Sequence, residues 1–213
     1  MKKKLLAAAQ AVLIALVILS GAIAVPILCR PFYYLHIAPL EILDWIDLTV
    51  QQVRTAYNEM MNYCIGLTDT FSAGVLAFSE SGASHFADVR KLFLLDLWVL
   101  AVAAVLLAAV ACLRRKDPVK LLNHTPGFWS AVGLGVTFLT VGGLAALDFE
   151  RAFEVFHTLF FPGKSNWIFD YRTDPIILML PAVFFRNCAI VILTVILLSC
   201  GALLLHDRKL RRK

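Results

Sequence analysis

Charge is the scarcest feature of this chain. Of its 213 residues, 16% are Asp, Glu, Lys or Arg and 60% are hydrophobic, whereas a water-soluble domain carries about 25% charged residues. That balance excludes an ordinary soluble globular protein. Also missing is any stretch that alternates apolar and polar residues with a period of two, which excludes a membrane β-barrel. Neither an internal repeat nor a low-complexity linker interrupts the chain, so residues 1–213 read as a single integral membrane domain. The five cysteines show no metal or redox spacing, and neither a His-Glu-x-x-His nor a Gly-x-Ser-x-Gly motif occurs. The simplest zinc-protease and serine-hydrolase readings therefore have no anchor.

What is present is four long apolar runs, at about 5–29, 92–113, 127–147 and 181–205. Each is near or above the ~20 residues that a helix needs to cross ~30 Å of hydrocarbon. The expected fold is an all-α membrane protein: four transmembrane helices with an extracytoplasmic cap built from 30–91 and 148–180. Lys2, Lys3 and Lys4 precede the first run, Arg114, Arg115, Lys116 and Lys120 separate the second from the third, and Arg208, Lys209, Arg211, Arg212 and Lys213 follow the fourth. The two longer loops lean acidic. Both termini and the short basic loop are thus expected in the cytoplasm. The formal charge of +5 reads as attraction to membrane lipid rather than to nucleic acid. Cleavage after Ala22-Ile23-Ala24 as a signal peptide is the weaker reading, because the apolar run continues to Cys29. Within the spans almost no charge besides Arg186 is expected to be buried, which argues against an ion or proton transporter.

The outer segments carry the remaining pattern. After Pro39, the residues Leu43, Ile46, Val50, Val53, Tyr57, Met60 and Cys64 recur at threes and fours, predicting one amphipathic helix of about 24 residues. Ser84 reads as the N-cap of a helix that runs into the second span. Residues 150–161 read as a short helix continuing from the third span and broken by Pro162-Gly163. Cys29 and Cys64 are both placed on the outer side, without a sequence signal that they pair.

Two histidines stand out at the outer boundary. His85 lies three residues before Asp88 on one helix face, and His157 sits among Phe156, Phe160, Phe161 and Trp167. Taken singly, each fits an interfacial side chain within an aromatic belt. As a pair facing one cleft, they fit a proton-transferring acid and base, because imidazole titrates near neutral pH. Asp88 is then expected to accept the second ring N–H of His85. A zinc site built from both histidines and carboxylates is a rival, as is a non-enzymatic membrane subunit that binds a lipid or partner. His36, His124 and His206 carry no functional reading.

Three segments give the pattern a context: AYNEMMNYC at 56–64, FSESGASHFADVRKLF at 78–93 and FEVFHTLFFPGKSNWIFDYRTDPIILMLPAVFF at 153–185. With the four spans around them they resemble the bacterial lipoprotein intramolecular transacylase (Lit) family. The resemblance implies a cell-membrane enzyme whose substrate is a lipoprotein with an S-diacylglyceryl N-terminal cysteine. In that family the sn-2 acyl chain moves to the α-amine of the same cysteine, giving a lyso-form lipoprotein. It implies His85 and His157 as the catalytic residues; neither metal nor cofactor is expected, and the chain is expected to act as a monomer. Asp88, Tyr57, Asn58, Phe156, Phe160 and Trp167 are the expected substrate-positioning residues.

Overall fold

In hydrocarbon no water can satisfy a backbone N–H or C=O, so a single crossing segment must bond internally as a helix. The computed structural model describes residues 2–113 and 119–212. Arg114, Arg115 and Lys116 of the basic inner loop, and Lys213, lie outside the described residues. Along the chain come α1 (Lys2–Leu28), the short α2 (Arg30–Tyr34) and α3 (Ile42–Trp45), α4 (Val50–Cys64), α5 (Glu80–Leu113), α6 (Pro126–Leu147) and α7 (Phe149–Phe160). A 3₁₀ turn at Pro175–Met179 leads into α8 (Ala182–Arg211). Among the described residues there is no strand, only one isolated bridge between Leu121 and His124. Four helices, α1, α5, α6 and α8, are long and apolar enough to cross a membrane. At 34 residues, α5 is about 51 Å long. It exceeds the ~30 Å apolar layer, and its surplus is the polar first turns that hold Glu80, His85, Asp88, Arg90 and Lys91.

The chain divides into two compact units. One comprises Met1–Val25, Asp96–Leu147 and Ile190–Lys213. Its core is Ala22, Ala131, Leu134, Ile196 and Cys200. Small residues suit this contact because lipid-embedded helices associate by close packing. Ser130 Oγ donates to Ala11 O at 2.6 Å, a bond between helices that leaves no bare hydroxyl. Asp207, 2% exposed, accepts the Thr125 N–H at the start of α6 (2.7 Å) and the Nδ1–H of His124 (2.8 Å). One buried charge departs from expectation. Asp96 on α5 is hydrogen-bonded to Ser20 of α1 and has a buried Oδ2 without a hydrogen-bond partner among the described residues, so Arg186 is not the sole charged residue of note in the spans.

The other unit comprises Pro26–Leu95 and Asp148–Ala189. Tyr33 and Tyr57 stack with centroids 3.7 Å apart, Phe184 meets both edge-on, and the Tyr33 hydroxyl donates to Met179 O at 3.0 Å. Asp174 is the long-range tie. Its Oδ1 accepts the Ser79 N–H and its Oδ2 the Ser79 hydroxyl, both at 2.8 Å, with Thr173 Oγ1 donating at 2.8 Å. Burial pushes the Asp174 carboxyl upward, but these donors outweigh it and hold it below the ordinary carboxylate range.

Four local expectations change here. The single amphipathic helix of 43–64 is interrupted at 46–49, because Thr49 and Gln52 form a capping box that starts α4 afresh. Pro39 opens no long helix: Glu41 takes a left-handed φ of 51° before the brief α3. The cap of α5 lies one turn earlier than Ser84, at Ser79, whose Oγ accepts the Gly82 N–H at 3.0 Å. Likewise α7 does not continue α6. Asp148 adopts an extended conformation and caps α7 by accepting the Arg151 N–H. All five cysteines are free thiols, with Cys29 exposed and Cys64 buried.

Gly82 is where the Ser79–Asp174 tie excludes a side chain, since a Cβ there would collide with Asp174 Oδ1 and press on Phe169. Gly82→Ala is expected to destabilise the fold by about 1–3 kcal/mol, visible as a lowered melting temperature of the detergent-solubilised protein. An unchanged melting temperature would show that Asp174 moves aside without cost.

Candidate active site

His85 comes from the second turn of α5 and His157 from the last turn of α7, and the fold brings them together. Their ring centroids are 5.9 Å apart. They are 6% and 8% exposed, low for side chains whose charged form needs solvation. The His157 Nδ1 lies 2.8 Å from Phe153 O, one turn back on α7. A carbonyl only accepts, so Nδ1 carries the proton, and in the neutral ring Nε2 holds the free lone pair. Burial pushes the His157 pKa down, more than the Phe153 carbonyl bond raises it. The neutral, proton-accepting ring therefore persists to lower pH than in an exposed histidine. His85 Nδ1 is buried and makes no hydrogen bond among the described residues.

Aromatic rings enclose the pair. Trp167 stacks on His157 at 4.7 Å, Phe153 lies 4.1 Å away and Phe156 meets its edge at 5.4 Å. Around His85, Phe161 stands at 5.0 Å and Phe169 at 5.4 Å, both edge-on. Phe160 contacts Phe156 (4.7 Å) rather than a histidine ring, and both are 47% exposed. The inner wall is thus Phe153, Phe161, Trp167 and Phe169. The expected wall of Phe156, Phe160 and Trp167 had one inner member and two outer ones. The helical spacing 153–157–161 was available to find Phe153 and Phe161. Phe169 had no such signal, because an irregular loop carries it.

Asp88 does not hold the His85 ring. Its Oδ1 takes Lys91 Nζ at 3.0 Å, and its Oδ2 takes Lys164 Nζ at 2.5 Å and Asn166 Nδ2 at 3.2 Å. Two ammonium groups outcompete a neutral imidazole N–H for a carboxylate. The effect is a clamp that fixes the 164–167 loop, and hence Trp167, to the helix bearing His85. The Lys164 backbone completes it, with its N–H on Phe161 O (3.1 Å) and its C=O accepting Trp167 Nε1–H (3.1 Å). Lys164 and Asn166 were not among the expected site residues. Tyr57 and Asn58 lie in a different cluster: Tyr57, 2% exposed, stacks on Tyr33, and Asn58 Oδ1 accepts the Tyr34 hydroxyl at 2.6 Å. Among the described residues, no three His, Cys, Asp or Glu side chains gather in one group.

The family model described as lipoprotein intramolecular transacylase Lit matches residues 8–185. The in meso structure of the membrane integral lipoprotein intramolecular transacylase Lit from Bacillus cereus superposes with a TM-score of 0.88 at 26% identity, covering 99% of this chain and 98% of that one. A structure of the same Bacillus cereus protein with a histidine-to-alanine mutation superposes at 0.79, again at 26% identity, over 99% and 96%. An uncharacterised Aquifex aeolicus protein is 29% identical over 117 residues, 54% of this chain and 49% of that protein. The chain matches about half the length of that relative. With the family model spanning most of its residues, the chain belongs to the lipoprotein intramolecular transacylase Lit family.

Proposed function

We propose that this protein is a bacterial membrane acyltransferase that moves the sn-2 acyl chain of an S-diacylglyceryl cysteine to the α-amine of the same cysteine. The product is an N-acylated lyso-form lipoprotein. The observation that carries the reading is the pair of buried imidazoles 5.9 Å apart, one with its Nδ1–H committed to Phe153 O. The name of the Bacillus cereus relative supports the reaction class. The diacylglyceryl lipoprotein is the substrate and membrane lipid its surroundings. The basic ends of α1 and α8 face the cytoplasm, which sets the histidine pair on the outer side.

The chemistry fits the arrangement. Aminolysis needs a neutral amine, and the α-amine has a pKa of about 7.7–8.0. The amine nitrogen attacks the sn-2 ester carbonyl carbon. His157 Nε2, the free lone pair, accepts a proton from that nitrogen. Burial, with His157 beside it, pushes the His85 pKa down to about 4, so His85 acts as a neutral N–H donor: it gives its proton to the departing alkoxide oxygen as the C–O bond breaks and takes back the one held by His157. Since nucleophile and ester belong to one molecule, effective concentration supplies much of the rate, and no acyl-enzyme is needed. The aromatic enclosure keeps out the water that would hydrolyse the ester.

Reconstituted protein and a diacylglyceryl lipopeptide with a free N-terminus test this, with mass spectrometry locating the acyl chain. His85→Gln and His157→Gln are each expected to slow N-acylation by about 10²–10⁴-fold. Full activity in both would refute the paired mechanism, and loss of wild-type activity with strong chelators would favour the zinc rival. The pH profile gives a second check. Below the substrate amine pKa of about 7.7–8.0, log kcat/KM should fall with slope one. The depressed His157 pKa should bring the second unit of slope only below about 6.5, the ordinary imidazole value. Steepening at or above that pH would contradict the buried neutral base.

A further inference from the structure

Asn166 is held by one end and left unpartnered at the other. Its Nδ2 donates to Ser84 Oγ and to Asp88 Oδ2, both at 3.2 Å, and these residues flank His85 on α5. The following residue, Trp167, stacks on His157. The amide oxygen at the opposite end is buried and has no hydrogen-bond partner among the described residues. The amide group is planar, so the two bonds at Nδ2 fix where Oδ1 stands. Turning it toward solvent would break both. Native folds rarely leave a buried acceptor unpaired, and one so held needs an explanation.

The proposed reaction supplies a donor. A primary amine attacking an ester aims its lone pair at the carbonyl carbon and has two N–H bonds left. One proton passes to His157 Nε2. The other stays on nitrogen through the reaction and becomes the amide N–H of the product, so in a water-poor site it needs an acceptor throughout. We infer that Asn166 Oδ1 accepts this retained N–H of the substrate α-amine, making Asn166 a substrate-binding residue that selects a primary amine. The inference rests on the transacylase reading above. In the balanced step, the N–C bond forms, the sn-2 C–O bond breaks, one proton moves from nitrogen to the alkoxide oxygen by way of the histidines, and Asn166 gains and loses nothing. The Asp88–Lys164 contact serves the same end by holding the loop that presents the amide.

Two S-diacylglyceryl lipopeptides test it with the full chain in detergent–lipid micelles, one with a primary α-amine and one with an N-methyl α-amine, which lacks the retained N–H. The wild type is expected to acylate the primary amine about tenfold faster or more, the worth of one hydrogen bond. Asn166→Leu should slow the primary amine by a similar factor and bring the ratio of the two substrates toward one. Asn166→Asp keeps an oxygen acceptor and should retain the preference whatever its absolute rate. A wild-type preference that Asn166→Leu leaves intact overturns the inference, as does a wild type without preference, which can be read even if the Leu variant fails to fold. An unchanged ratio with a shifted pH profile would show that Asn166 acts on His85 instead. If the wild type acylates neither peptide, the transacylase reading fails and this inference falls with it.

Discussion

The carboxylate of Asp174, closed around the N–H and hydroxyl of Ser79, is the constraint on which the histidine pair depends. It joins the start of α5, six residues before His85, to the end of the loop that follows α7. Without that tie, the loop from Phe161 to Thr173 would lose the hydrogen bonds that hold its far end to the start of α5. A buried carboxylate would ordinarily be a liability. Here three donors satisfy it, so the bond can set a register between segments 95 residues apart. The glycine at position 82 follows from it, because the approach of Asp174 leaves no room for a Cβ.

From that register the site follows in steps. Asp88, one turn beyond His85, meets Lys164 and Asn166. The loop between Phe161 and Phe169 is then fixed at both ends, and its aromatics close on the two imidazoles. Enclosure lowers the local dielectric, which favours neutral rings and strengthens whatever hydrogen bonds a substrate makes. The clamp charges sit at the rim, where Lys91 and Lys164 flank Asp88 and leave one positive charge in excess. The histidines themselves stay free of a carboxylate partner. A carboxylate partner would raise the imidazole pKa, whereas burial here lowers it.

Much of this was legible in the residues, and the parts that were not have a common cause. Helical spacing and apolar length gave the four spans, and the charge around those spans is the ground for expecting His85 and His157 on the outer side. The aromatic stretch after His157 was visible as well, but its inner and outer members were not distinguished. Phe161 and Phe156 look alike in a sequence, and only helix phase and the loop path decide which faces the imidazoles. The helix beginning at Val50 was legible in Thr49 and Gln52, yet the longer apolar periodicity concealed it. Asp88 shows the limit best. Its spacing from His85 was right for a pairing, but a lysine 76 residues away claimed the carboxylate.

By itself, then, the sequence determined what periodicity and composition can encode: helical spans, their polar surplus, the local cap at Thr49 and the presence of two histidines in polar flanks. These are properties of neighbouring residues and of the solvent each must face. The partnership of His85 with His157, the commitment of Asp88 to lysines, and the stranded oxygen of Asn166 were decided only by tertiary structure. Each depends on distances between residues far apart in the chain, and such distances arise when packing and buried hydrogen bonds select one path for the loops.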